Sequence, residues 1–250
     1  MNECVSSRRE SVSILGGVFL SAVLTLLPGC QGGQSNDDSV LERGGALWRA
    51  DGAGGAVVRL APAGGFAKAA DGHRVCYAFF EAGREQTALC IVECATNGAI
   101  LREQRFDNEA WVSANAVERA TWLAPGRVFV EAHVNPSLGV GIALDLDAHR
   151  ADAFEGILFA WNPKRTRLAY LREPPHFGAP ADAVSALMLG REPVCEVPNC
   201  AKAQLLWDSS GLTLAALVPA VNGRPGELIV VRFSDNTPRR VERFTLPPAK

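Results

Sequence analysis

The chain has 250 residues, 25 Lys and Arg against 27 Asp and Glu, a formal net charge of −2 and 48% hydrophobic residues. Without a net positive field nothing draws it onto nucleic acid, and it is long enough to bury a sizeable core. Only four lysines accompany abundant Ala, Gly and Arg, which reads as genomic composition bias and gives the arginines no recognition role.

The first predicted element is an export segment. Arg8 and Arg9 precede the apolar run Val12–Leu27, which closes in Leu27-Pro28-Gly29-Cys30. A positive start, an apolar middle and a small residue before a cut site form the layout of a secretory signal. The run is shorter than the ~20 apolar residues that span a bilayer comfortably and lacks a basic stop, so a retained transmembrane helix is the weaker alternative. The Leu-x-Gly-Cys ending resembles the lipobox of bacterial lipoprotein signal peptides. The resemblance implies cleavage before Cys30, diacylglycerol on its sulfur and a third acyl chain on its new amino terminus. It thereby implies a protein held to the membrane through a lipid anchor, in the cell envelope. Gln31, where an Asp would mark inner-membrane retention, implies sorting to the outer membrane, facing the periplasm. Ser7-Arg8-Arg9 also resembles the start of a twin-arginine signal. Ser11-Val12-Ser13 then departs from that family's Phe-Leu-Lys, which favours general secretion. This division makes residues 1–29 the signal peptide, 30–44 the lipidated cysteine and a small, polar, flexible linker, and 45–246 the folded body.

The body carries an internal repeat. Trp161-Asn162-Pro163-Lys164-Arg165-Thr166-Arg167-Leu168-Ala169-Tyr170-Leu171 aligns without a gap on Trp207-Asp208-Ser209-Ser210-Gly211-Leu212-Thr213-Leu214-Ala215-Ala216-Leu217. Trp122-Leu123-Ala124-Pro125-Gly126-Arg127-Val128-Phe129-Val130 is a shorter version, and Phe66–Tyr77 a looser one. Each is followed by strand, polar turn and strand: Leu89–Glu93 through Asn97-Gly98 to Leu101, Gly141–Asp147 into Ala148–Arg150, and Leu228–Phe233 through Asp235-Asn236 to Val241. Asn-Gly is a strong hairpin signal because both residues tolerate positive φ. A leading copy runs from Ala46 through Gly54-Gly55 to Leu60. Periods near 40 to 45 residues with an aromatic and four strands each point to propeller blades. The Trp161–Arg165 segment is similar to the repeat of periplasmic TolB-type propellers. The expected fold is all-β, a β-propeller-like array of about four blades plus a leading hairpin, with ring closure left open. Asp107–Val117 is expected to be a helical turn or a connection between blades. Residues 173–200 read as a long insertion, with Pro180–Leu189 either a short helix or a third strand.

Export into an oxidising compartment makes disulfides the default for the body's cysteines. Cys195 and Cys200 flank the turn-forming Glu196-Val197-Pro198-Asn199, and their pairing would clip the long loop. A hairpin turning at Ala82-Gly83-Arg84 would set Cys76 opposite Cys90, with Cys94 as the less favoured partner. A zinc site from Cys90, Cys94, Cys195 and Cys200 has spacings wider than the usual knuckles, so no metal is expected.

No Gly-x-Ser-x-Gly elbow, His-Glu-x-x-His or phosphate loop occurs, and no catalytic residue or cofactor is expected. Asp145-x-Asp147-x-His149 is the nearest metal-like cluster, since alternation would put all three on one face if the strand ran that far. It reads more simply as a strand end passing into a solvated turn. His73, His133 and His176 have no sequence neighbours that complete a ligand set. The expected role is a membrane-anchored binding or scaffold module with a protein partner in the envelope. The alternative is an envelope hydrolase or lyase with its site in the propeller channel, a reading that convergent acidic and histidine side chains there would favour.

Overall fold

The computed structural model describes residues 38–50, 57–81, 88–107, 111, 114, 116–135, 138–172, 183–198, 203–220, 225–234 and 237–247. Cys30, His176 and Cys200 lie outside the described residues. Apolar residues at every second position, interrupted by Gly, Asn and Asp, give eighteen strands among them. These are β1 Ser39–Arg43, β2 Ala46–Ala50, β3 Val57–Ala61, β4 Phe66–Ala70, β5 Arg74–Glu81, β6 Ala88–Ala95, β7 Ile100–Phe106, β8 Ala116–Ala124 and β9 Arg127–Asn135, followed by β10 Leu138–Asp145, β11 Arg150–Trp161, β12 Leu168–Arg172, β13 Val184–Leu189, β14 Glu192–Pro198, β15 Gln204–Trp207, β16 Thr213–Val218, β17 Glu227–Ser234 and β18 Thr237–Thr245.

Every ladder is antiparallel and joins strands consecutive in sequence. The first sheet is β1-β2-β3, the second β4 to β7, and the last β15 to β18. Between them β8 to β14 form one seven-stranded run that β11 divides. Arg150 to Gly156 pair with β10, while Ile157, Ala160 and Trp161 pair with β12. The chain changes sheets at Gly156, where an added Cβ would press on the carbonyl oxygen of Leu171. A glycine is what allows so close a backbone approach. β8–β11 and β11–β14 are thus two four-stranded sheets sharing a strand. The body is an all-β, propeller-like array of four four-stranded sheets behind a leading sheet, and that leader has three strands, one more than a hairpin. Among the described residues no ladder joins β1–β3 to β15–β18.

Each sheet covers the face of the next. Ala78, Ile91 and Leu89 of the second sheet pack with Val128, Val130 and Ile142 of the third. Phe129 of the third meets Phe159, Tyr170 and Met188 of the fourth. Leu171 and Leu187 meet Leu214, Ile229 and Val231 of the last. Burying one such side chain contributes about 1.5–3 kcal/mol, so these seams hold the array together. Gly141 makes room in one seam: a Cβ there would lie 2.5 Å from Phe129 Cζ and 2.8 Å from Phe159 Cε1.

The repeat is a hydrogen-bonded turn. Asn162 Oδ1 accepts the amides of Thr166 at 2.8 Å and Arg167 at 3.1 Å. At the matching position Asp208 Oδ1 accepts those of Leu212 and Thr213, both at 3.0 Å. Asp71 does the same for His73 and Arg74 in a tighter turn. Trp161 and Trp207 end the preceding strands at equivalent places, each half-buried. Arginines beside the turns then reach the following sheet. The Arg74 guanidinium sits 5.2 Å over the Trp122 ring, and that of Arg167 sits 5.5 Å over Phe233.

For Pro180–Leu189 the strand alternative holds over its described residues: Val184–Leu189 is β13, the third strand of its sheet, and Glu192–Pro198 is β14, the fourth, so the reading of this stretch as an insertion is corrected over residues 184–198. β10 ends at Asp145, and Asp147 and His149 lie in the following turn, which is the simpler reading given above for that cluster. The expectation for Cys76 and Cys90 is corrected. Cys76 lies opposite Glu93, and Cys90 opposite Phe79. That register differs by three residues from the one expected, and an odd shift moves a side chain to the other face. Cys76 accordingly packs in the seam with the third sheet, while Cys90 and Cys94 pack toward the first. Cys76, Cys90, Cys94 and Cys195 are free thiols. Burial is the main cause that raises all four pKa values, with Cys90 and Cys94 pushed up to about 11, so these thiols stay protonated and unreactive.

Candidate functional site

The first strands of the sheets gather on one side of the array: β4 lies against β8, and β11 against β15. At the end away from the repeated turns, β8, β9, β11 and β15 border an open cavity of about 650 Å³. One wall is polar, with Glu118, Arg119, Glu131 and His133. The other is largely apolar, with Ile157, Leu158, Leu205 and Leu206.

Irregular backbone makes this wall possible. Neighbouring residues of a regular strand point to opposite faces. β8 is bulged between Val117 and Arg119, so Glu118 and Arg119 both line the cavity. Bulges re-aim side chains in this way and are common beside functional sites. A second irregularity separates Leu138 from Gly139 at the start of β10, and a third lies between Ile157 and Ala160 in β11. Leu158, within that third one, has φ 57°. A branched residue there is strained by about 1–3 kcal/mol, a strain that persists only where surrounding structure imposes it.

Two charge pairs organise the polar wall. Arg119 and Glu131 are directly opposite across β8 and β9. Arg119 Nε donates to Glu131 Oε1 at 2.7 Å, and its Nη2 donates to the Phe159 carbonyl at 3.3 Å. The Glu131 side chain is 16% exposed, and burial raises its carboxyl pKa above the usual range against the opposing pull of Arg119. Glu118 Oε1 lies 3.1 Å from His133 Nδ1. Trp207 Nε1 donates to the Ala160 carbonyl at 3.1 Å and closes the apolar side.

Of the described residues singled out in the sequence, only His133 lines this cavity. His73 is exposed in its turn. Asp145 caps the amide of Ala148 at 2.9 Å. Asp147 pairs with Arg102 of the second sheet at 2.8 Å. His149 stacks on Phe106, ring centres 4.7 Å apart. The three acids and bases of that cluster thus serve three separate contacts, and no group of metal-ligating side chains occurs among the described residues. Glu118, Arg119 and Glu131 were missed because their meeting depends on the β8–β9 register. The Pro125-Gly126 turn between two apolar runs was the available signal for that register.

No protein-family model and no curated protein matches the chain. Similar solved structures include the β-propeller domain of the Trilobed protease from Pyrococcus furiosus, at 12% identity over 72% of this chain and 56% of that one, TM-score 0.42. An acylaminoacyl peptidase of Pyrococcus horikoshii is 13% identical over 72% of this chain and 31% of its own, TM-score 0.41. The tricorn protease is 14% identical over 81% and 21%, TM-score 0.47. The chain therefore spans less than two thirds of each of these proteins. At such identities and scores the likeness says nothing of activity, and the fold rests on the ladders described above.

Proposed function

We propose that the chain is a lipid-anchored envelope protein whose propeller-like body binds a ligand or partner in the cavity between β8, β11 and β15. The lipobox-like ending at Cys30 supports the anchor, and two or more acyl chains suffice for stable attachment. The binding reading is carried by the cavity: about 650 Å³, mixed polar and apolar walls, and bulged strand ends, all features of ligand sites. The TolB-like segment at Trp161–Arg165 is consistent with a binding body in the periplasm, facing inward from the outer membrane.

A second reading, an envelope hydrolase or lyase, draws on the meeting of Glu131, Glu118 and His133 in one cavity, the convergence that such chemistry needs. Each of these groups is already engaged with a neighbour, and no Ser, Thr, Cys or Lys is among the described residues lining the cavity. Binding is therefore the stronger reading.

The test uses the tagged full-length protein in its own membranes. Cys30→Ala is expected to abolish acyl labelling and release the body from the membrane fraction; unchanged labelling and fractionation would overturn the anchor. A photo-crosslinking residue at Gln204, beside the cavity, is expected to trap a product that one at Arg240 on β18 does not. Equal yields at both positions, or none at Gln204, would overturn the cavity as the binding site.

A further inference from the structure

Resting on the binding reading above, we propose that the cavity receives an extended peptide segment, which adds as a strand to the free edge of β15 and carries a basic side chain toward Glu118 and Glu131.

The manner of lining carries the inference. Four consecutive residues, Ala203 to Leu206, border the cavity, and five consecutive residues, Gly156 to Ala160, border it opposite. Successive side chains of a regular strand leave on opposite faces, so the run along β15, whose pairing is unbroken, is presented by its edge, whereas on β11 the irregularity between Ile157 and Ala160 adds to the run. The cavity thus lies between two backbone edges. They are not equivalent. On β11 the carbonyl of Phe159 is taken by Arg119 and that of Ala160 by Trp207. Among the described residues β15 pairs in a ladder only with β16, so its other edge carries no strand. A strand edge without a ladder partner is a template for one further strand.

The walls indicate which strand. An added strand sends alternate side chains to either side. On one side they meet Ile157, Leu158 and Leu206, the last 52% exposed although it is a leucine. On the other they meet two carboxylates, one guanidinium already bonded to Glu131 and to the Phe159 carbonyl, and the His133 ring, whose Nδ1 lies 3.1 Å from Glu118. The remaining negative charge favours a lysine or arginine side chain, and charge complementarity of this kind selects partners.

The experiment measures fluorescence anisotropy of a short labelled peptide alternating valine and lysine, with the full-length protein in detergent micelles. Saturable binding is expected. Methylating the backbone nitrogens of alternate residues keeps every side chain and charge but removes the donors of one edge. It is expected to weaken binding by about tenfold or more, and so is replacing lysine by glutamate. Leu206→Arg, at an exposed position on β15, is expected to weaken it comparably, whereas Val241→Arg on the outer strand β18 is not. Equal affinity of the methylated peptide would overturn strand addition. Equal affinity of the glutamate peptide would overturn the basic preference. Loss with Val241→Arg but not Leu206→Arg would move the contact to another edge, and no saturable binding up to millimolar peptide would overturn the inference as a whole. In each case a retained crosslink from Gln204 leaves the cavity-binding reading standing, and a lost one removes both.

Discussion

The two ends of the first strands are built by different means. At the turn end, Asn162 and Asp208 fold their loops with the same pair of side-chain to backbone bonds, four and five residues on. Arginines beside these turns tie one sheet to the next. At the other end nothing repeats. β8 bulges, and β11 changes sheets through Gly156 and Leu158. The charged groups of the turn end hold loops and sheets together, whereas those of the second end face a cavity. The difference teaches where each kind of constraint acts: a repeated turn serves the fold and can recur unchanged, whereas a cavity needs departures from the repeat.

The largest expected effects strike the irregular end. Gly156→Val would force a side chain onto the Leu171 carbonyl. Backbone cannot yield as a flexible side chain can, so a loss of about 3 kcal/mol or failure to fold is expected. Gly141→Ala meets two buried rings instead, and a loss of about 2 kcal/mol is expected. Urea denaturation measures both. A Gly156 variant as stable as the parent would show that β11 has other room to change sheets.

Next comes the turn end, where the two matching residues are not equally enclosed. Asn162 is 3% exposed, while Asp208 is exposed. Removing the acceptor leaves amide groups without partners, at greater cost where water cannot replace it. Asn162→Ala should lose about 2 kcal/mol and Asp208→Ala about 1 kcal/mol. The reverse order in matched urea titrations would break the equivalence drawn between the two turns.

Trp207→Phe probes the seam joining the two ends. It keeps the ring that packs 5.5 Å from Phe233 but removes the donor to the Ala160 carbonyl. About 1 kcal/mol should be lost. A neutral result would mean that water satisfies the Ala160 carbonyl as well as the indole does.

Legibility in the sequence follows the same division. The Trp161 and Trp207 segments could be aligned by eye because turn geometry dictates residue types at fixed offsets. Asn97-Gly98 likewise forms its hairpin, with Gly98 at φ 89° and its amide on the Ala95 carbonyl at 2.9 Å. The placement of Cys76 failed because the loop centre was guessed, and one odd step in register exchanges the two faces of a strand. The cavity was illegible for a related reason. Glu118 and His133 are fifteen positions apart, and two register shifts in β8 decide which residues of this hairpin meet. Composition and periodicity carry no trace of a bulge, since a single extra residue leaves the apolar alternation on either side intact.

The smallest effect is the sharpest test of the polar wall. Glu131 is mostly buried beside an Arg119 that is 59% exposed. Burial outweighs that partner and raises the carboxyl pKa. The folded form therefore holds its proton to higher pH than the unfolded chain does. Between the unfolded and folded pKa values the folded state binds more protons, so stability falls as pH rises through that window, just above the ordinary carboxylate range. Glu131→Gln cannot ionise and escapes this decline. The variant should gain on the parent as pH climbs from 4 to 7, by less than any effect above, because the water-exposed ion pair it gives up contributes only about 0–1 kcal/mol. Denaturation midpoints compared across that range would show the gap widening in the variant's favour. A gap that widens against the variant would mean that Arg119, not burial, governs Glu131, and that the polar wall is a settled ion pair rather than a carboxylate held at some cost beside an open cavity.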